Sequence, residues 1–364
     1  MQRLLFIRYK KSKNIFEGGE QCSQRNYNLL AQHLGTENIT VYYIHDETIK
    51  KTIFDYLFGV IYFFRNYFFG ITPKKLDEIT NLAHKSDYIF IDRSVFGVIA
   101  KQLKQEGYKG KIITFFHNVE VPYFKARTSK YNPLKSLICR CIDNNDRFSC
   151  KYSDKIITLN QRDTDEINER YGRMSDILIP IAFKDVYQES NISKDELTLA
   201  RPKCLFLGAY FIPNNEGIIW FVKNVLPFVD IDVKIVGKGM SKLQKEESQL
   251  LKDIEVVSDA PSLLQYFEWA DIMLLPIFSG SGMKVKTCES LMYAKNIIAS
   301  QEALEGYDLE YNKMGALCNT KDEFIAAIND FQHNPRPKYN AYSREVYLAK
   351  YSEQAVVELF KEVL

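Results

Sequence analysis

Short apolar runs alternate with longer stretches whose apolar residues recur at helical spacing, and this alternation limits the folds open to the chain more than any other feature. The apolar runs of the first half are Leu4–Ile7, Ile39–Ile44, Tyr88–Ile91, Lys111–Phe116, Lys155–Leu159 and Ile177–Ile179. Between them lie helical patterns such as Gly19–Leu34, Val95–Gln105 and Arg162–Tyr171. The second half repeats the scheme with Cys204–Leu207, Val233–Val236, Ile254–Val257, Ile272–Leu275 and Ile297–Ala299. Strands separated by helices pair in parallel, with helices covering both faces of the sheet. Two such sets predict an α/β chain of two doubly wound units, not one barrel. At 364 residues the chain is also longer than one typical domain.

The boundary falls at Lys184–Pro202, which is polar and has no sustained apolar period. Residues 1–183 and 202–340 are the expected domains. The last stretch, Tyr342–Leu364, is helix-period and is expected to pack back on the first domain.

Basic and acidic side chains nearly balance, 48 against 46, so no global field favours nucleic acid. The seven cysteines are odd in number and scattered, which fits a reducing compartment. Cys139, Cys141 and Cys150 match no common zinc spacing and read as ordinary thiols. Met1-Gln2-Arg3 runs straight into a first strand without a secretory apolar core, so a cytoplasmic location is expected. Phe54–Ile71 is crowded with aromatics but interrupted by Asp55, Arg65 and Asn66, which argues against a membrane span. Two readings of it stand: a helix packed in the core, and an amphipathic helix lying at a membrane surface.

Three stretches carry candidate chemistry. Gly18-Gly19 follow the first strand and open the first helix, where backbone can approach a phosphate; a plain turn explains them equally. Ile112 to Glu120 is an apolar strand that delivers His117-Asn118-Val119-Glu120 at its carboxyl end, where open α/β sheets place ligands. The neutral His117 imidazole is expected to hydrogen-bond a sugar hydroxyl or an acceptor oxygen; a structural histidine is the rival reading.

The third stretch runs from Leu274 to Glu289. A buried strand ends at Pro276, a loop of small residues follows, and a helix is expected to begin near Met283. Helix-start N–H groups suit a diphosphate, Lys284 and Lys286 add positive charge, and Glu289 can accept hydrogen bonds from a ribose diol. Gly208 closes the first strand of the second half, Lys238 follows another strand, Val257 offers backbone contacts to a nucleobase, and Glu305 can approach from the other side.

The chain resembles the retaining glycosyltransferases of family 4, which have the GT-B fold of two Rossmann-like domains facing across a cleft. The resemblance rests on the Gly18-Gly19 loop, the strand ending in His117-Asn118-Val119-Glu120, Tyr152–Asp163, the run FLGAYFIPNNEGIIWF, and above all GSGMKVKTCESLMYAKNIIAS followed by Glu305-Gly306. It implies that the second domain binds the nucleotide sugar and the first most of the acceptor. By resemblance Glu289 holds the ribose, Ser281, Gly282, Met283 and Lys284 lie against phosphates and donor sugar, and Lys286 is the cation near the diphosphate. His117 matches the histidine that contacts the donor sugar, and Gly19 the glycine whose backbone approaches the diphosphate.

Two departures stand out. Ser281 occupies the place of the first of the family's two glutamates, and the Arg and Lys expected after Gly208 are not evident in Ala209–Glu216. The expected reaction is transfer of a sugar from a nucleoside diphosphate to an acceptor hydroxyl, with retention and without a metal, in bacterial surface polysaccharide or glycoconjugate synthesis. The resemblance implies a nucleotide-sugar donor and a glycan or lipid-linked acceptor as partners; a membrane surface and self-association stay open. The alternatives are a nucleotide-binding partner subunit that has lost catalysis, and a sugar-nucleotide epimerase of the same architecture.

Overall fold

The computed structural model describes residues 2–10, 18–45, 61–128, 132–188, 196–198 and 201–364. The chain divides into two compact units, Met1–Phe183 with Val356–Leu364, and Lys184–Ala355.

The first unit runs β1 (Leu4–Lys10), α1 (Gly18–Leu34), β2 (Ile39–His45), α2 (Pro73–Ala83), β3 (Tyr88–Ile91), α3 (Gly97–Gln105), β4 (Lys111–Phe115), α4 (Glu120–Arg127), α5 (Lys135–Tyr152), β5 (Lys155–Thr158), α6 (Gln161–Tyr171) and β6 (Ile177–Leu178). All six strands are parallel, in the order β2-β1-β3-β4-β5-β6. Leu4–Ile7 and Ile89–Ile91 are wholly buried, as central parallel strands covered on both faces must be. The α3–α5 crossing depends on Gly97, because a Cβ there would sit 2.0 Å from the Asn145 carbonyl oxygen. Asn145 also accepts a hydrogen bond from the Val98 N–H (2.9 Å), which satisfies a donor at the start of α3.

The second unit runs β7 (Lys203–Leu207), α7 (Ile212–Asn224), β8 (Asp232–Gly237), α8 (Met240–Glu246), β9 (Glu255–Ser258), α9 (Leu264–Trp269), β10 (Ile272–Leu275), α10 (Val285–Met292), β11 (Asn296–Ala299), α11 (Tyr311–Met314), β12 (Gly315–Leu317), α12 (Lys321–His333), α13 (Ala341–Val346) and α14 (Glu353–Lys361). Its sheet is also all parallel, ordered β12-β11-β10-β7-β8-β9. Gly217 lets α7 lie directly on the end of β10, since a Cβ there would be 1.9 Å from the Pro276 carbonyl oxygen. From Val356 onward α14 belongs with the first unit, where Phe360 lies under Arg25 and the Leu364 carbonyl accepts a hydrogen bond from Lys111.

In each sheet the winding direction reverses once, between β1 and β3 in the first unit and between β7 and β10 in the second. Loops leaving the carboxyl ends of such a strand pair diverge to opposite faces and open a crevice where ligands bind. The two doubly wound parallel sheets agree with the sequence expectation. Three local features differ. A short twelfth strand, β12, was not expected. The helix after β10 starts at Val285, not Met283. The C-terminal stretch is not one helix, because a π-helical turn over Tyr347–Tyr351 separates α13 from α14 and turns both tyrosines inward.

The aromatic segment falls in part outside the described residues, which resume at Ile61. Residues 61–64 are helical. Phe63 is buried, its ring 4.9 Å from that of Phe69, whereas Ile61 and Phe64 are 50% and 68% exposed. The two readings of this segment therefore divide by residue: Phe63 is core, and Ile61 and Phe64 face outward. Among the described residues no helix is long and apolar enough to cross a membrane.

Candidate functional site

The second unit's switch point is built by β7 and β10. β10 is wholly buried, and the loop after it contains two glycines in the left-handed half of φ space, Gly280 (φ 141°) and Gly282 (φ 63°). That geometry explains why small residues occupy this turn. Lys284 is the N-cap of α10, and no side chain caps the helix there.

The two lysines, alike in sequence, do different work. Lys284 Nζ hydrogen-bonds Glu302 Oε1 at 2.7 Å and the Gly282 carbonyl at 2.8 Å, and Tyr307 donates to the Lys284 carbonyl. Lys284 thus braces the loop with its charge largely matched. Lys286 Nζ donates to Asn214 Oδ1 at 2.6 Å and lies 4.9 Å from the centre of the Phe206 ring. Burial and the neighbouring Lys284 push its pKa down to about 7, against the opposite pull of Glu289. Burial also raises the Glu289 carboxyl to about 7, with Lys286 pulling the other way. This pair stands one helical turn apart and is poised to exchange charge with a ligand.

The rest of the expected donor set follows the same edge of the sheet. Gly208 directly follows β7, and a Cβ on it would press on Asn214, the partner of Lys286. Glu305 follows the turn that holds Glu302 and the Ala303 carbonyl, to which Thr287 of α10 donates. Contacts therefore bring Gly208, Gly282, Lys284, Lys286 and the turn before Glu305 together, with Glu289 one helical turn beyond Lys286. Lys238 and Val257 stand at the carboxyl ends of the next two strands outward, β8 and β9.

The first unit's switch point holds a buried cluster of charged side chains that sequence reasoning largely missed. Glu20 of α1 is flanked by Arg8 at 3.5 Å and Arg93 at 3.2 Å. Gly18 and Gly19 open that helix, and a Cβ on Gly19 would lie 2.9 Å from the Arg93 guanidinium, so the glycine makes room for a cation. His117 follows β4 with Nε2 3.4 Å from Asp92 Oδ1, and Asp92 is held by Asn26 (2.8 Å) and by the Ser23 hydroxyl. Burial opposes charge on His117, but Asp92 and Cys22 outweigh it and raise its pKa to about 9. The raised value favours the charged imidazole near neutral pH, where the sequence reading has a neutral ring; a charged ring offers hydrogen bonds and does not accept them. Beside the cluster lies a cavity of about 340 Å³ whose walls include Tyr9, Phe68, Phe69, Arg93 and Tyr123. The detectable signal was Asp92-Arg93 directly after an apolar strand; nothing in the sequence ties Arg8 or Arg25 to it.

Among the described residues no group of three His, Cys, Asp or Glu side chains is placed to hold a metal ion.

The Glu289 carboxyl generates a pH prediction. Its folded pKa, about 7, lies above the ordinary 4.5, so the stability it contributes is complete below about pH 4.5 and is lost as pH rises through about 7. Denaturant midpoints measured across that window should fall in the wild type relative to Glu289→Gln. Parallel curves for the two proteins would refute the raised carboxyl.

Residues 201–334 match the profile of the family described as glycosyl transferases group 1. No curated protein matches the chain in sequence. Among solved structures, Anabaena Alr3699/HepE in complex with UDP is similar, with a TM-score of 0.70 at 13% identity over 99% of both chains. Sucrose-phosphate synthase from Thermosynechococcus elongatus gives 0.70 at 13% identity over 100% of this chain and 98% of its own. The lipopolysaccharide outer core galactosyltransferase WaaB gives 0.65 at 13% identity over 100% of this chain and 99% of its own. At such identity these likenesses show the fold, two Rossmann-like α/β units of the kind found in GT-B glycosyltransferases. The match to the glycosyl transferases group 1 profile thus falls within the second unit.

Proposed function

We propose that the chain transfers a sugar from a nucleoside-diphosphate donor to an acceptor hydroxyl, with retention and without a bound metal. The observation that carries this reading is the Lys286–Glu289 pair beside an uncapped helix start, at the switch point of a group 1 domain. A diphosphate placed there meets the first N–H groups of α10 and the Lys286 ammonium. The negative ligand restores the lysine's proton, because an adjacent anion favours its charged form. As the sugar–phosphate bond breaks, the growing charge on the leaving oxygen meets donors already in place. Glu289, once ionised, accepts hydrogen bonds from the ribose hydroxyls. Ser281, Gly282, Met283 and Lys284 line the sugar and phosphate side, Gly208, Lys238 and Val257 the nucleoside side, and Glu305 the sugar. In the first unit Gly18 and Gly19 bring backbone to the Arg93–Glu20 cluster, and protonated His117 donates a hydrogen bond to a sugar oxygen. The acceptor proton passes to the leaving phosphate on the face where the hydroxyl attacks, which preserves the anomeric configuration.

The solved relatives guide the choice of substrates. One is seen with UDP and another is a lipopolysaccharide galactosyltransferase, so UDP-hexoses and cell-surface glycans are the first donor and acceptor classes to supply. Ser281, at a place where the resembled family has glutamate, favours one rival: a partner subunit that binds nucleotide without turnover. Incubation with UDP-hexoses and glycan acceptors should yield a product of retained configuration by NMR. Lys286→Met, which keeps the apolar stem over Phe206, should lower kcat by roughly 10²–10³-fold. Nucleotide binding without transfer would sink the enzyme reading in favour of the partner subunit, and an inverted product would sink retention.

The exposed Ile61 and Phe64, with Arg65 and Lys74 exposed nearby, suit the acidic headgroups and acyl boundary of a membrane on the cytoplasmic side. The protein should sediment with anionic vesicles, and Ile61→Ser/Phe64→Ser should abolish this while melting unchanged. Equal sedimentation of the double variant would exclude this surface. Phe63 is unsuited to the test because it is core.

A further inference from the structure

Arg25 is among the largest fully buried side chains of the protein. Its Nη1 donates to the Pro180 carbonyl at 2.8 Å, its Nη2 lies 3.1 Å from Cys22 Sγ, and its guanidinium sits over the Phe115 and Phe360 rings at 5.7 Å and 5.4 Å. None of the carbonyl and ring partners carries a charge, and among the described residues no carboxylate pairs with Arg25. A buried guanidinium without a counter-charge is strongly unfavourable. Cys22, three residues earlier on α1 and only 3% exposed, is among the described residues the one ionisable acceptor in contact with it.

A count of charge leads to the same atom. Cys22 also feels the charge of His117, whose Nε2 lies 3.4 Å from Asp92 Oδ1. The titratable and charged groups facing Cys22 are Arg25 on its own helix, His117 after β4 and Asp92 after β3. Two of these are cationic and one anionic. The adjoining Arg93 is faced by Glu120, Asp92 and Glu20, so the one carboxylate of this group is shared with a further cation.

We propose that Cys22 is a thiolate in the folded protein, the second anion of this buried group, and that it is a positioning residue which keeps His117 charged. Burial alone would raise the thiol, but Arg25 and His117 outweigh it and the net direction is down. Cys141 and Cys318, buried without cationic neighbours, are pushed up to about 12. The same contrast separates reactive from inert cysteines in general.

The part of this inference that concerns catalysis rests on the role proposed for His117; the charge state does not. The test is therefore a titration of the full chain without substrate, following thiolate absorbance in the ultraviolet and the imidazole signals by NMR. One thiolate should persist well below the usual thiol range of about 8.5 in the wild type and be missing in Cys22→Ser. In that variant the His117 titration should move from about 9 toward its ordinary 6.5, since a neighbouring negative charge has gone. Cys22→Asp, which returns the charge, should restore the His117 value. Should Cys22→Ser fail to fold, loss of the early thiolate in Cys22→Asp makes the assignment instead. A wild type whose thiols all ionise in or above the usual range would overturn the proposal, as would a His117 titration unmoved in Cys22→Ser.

Discussion

A parallel sheet sends the carboxyl ends of all its strands to one edge, and wherever the winding reverses it leaves a crevice at that edge. Both units of this chain obey that constraint, and the candidate residues stand at the two reversals or at the carboxyl ends of the strands beside them. In the second unit the crevice is fixed by close backbone approaches, Gly217 against Pro276 and Gly237 against Gly208, which leave no freedom for the loop ends to drift. The Lys284–Glu302 ion pair then holds the loop between β10 and α10. Lys286 and Glu289 are left to meet a ligand from a rigid support.

The electrostatics of the two crevices differ in kind. In the second unit a lysine and a carboxyl both lie near neutrality in pKa, so each can change charge when a diphosphate and a ribose arrive. In the first unit the charges face one another within a buried network: Arg8 and Arg93 around Glu20, His117 beside Asp92, and Arg25 against Cys22. Such a network holds geometry at a cost in desolvation and is strongly disturbed when one member is removed.

The central strands β3, β10 and β11 were legible because they are fully buried and therefore read as continuous apolar runs. β12 was not, since it has three residues, opens with Gly315 at φ 146° and is only partly buried. The C-terminal stretch read as one helix because its apolar spacing persists through the π-helical turn, where the Tyr351 hydroxyl accepts a hydrogen bond from the Asp308 N–H. In the site, Lys286 and Glu289 were visible as a helical pair, but the contrast between Lys284 and Lys286 was not. Glu302 neutralises one and Asn214 receives the other, and both partners come from distant parts of the chain. Arg8, Arg93 and Asp92 were hidden for the same reason: a charge next to a strand looks solvated until the fold brings its partner from 12 to 73 positions away.

The central claim is that the second unit's crevice binds a nucleoside diphosphate through α10, Lys286 and Glu289. Its most direct test is calorimetric titration of wild type and Glu289→Ala with UDP, GDP and ADP. The account predicts binding of one nucleotide with proton uptake above neutral pH, as Lys286 regains its charge, and a marked loss of affinity in Glu289→Ala. Failure of all three nucleotides to bind the wild type, or equal binding by the variant, would contradict it.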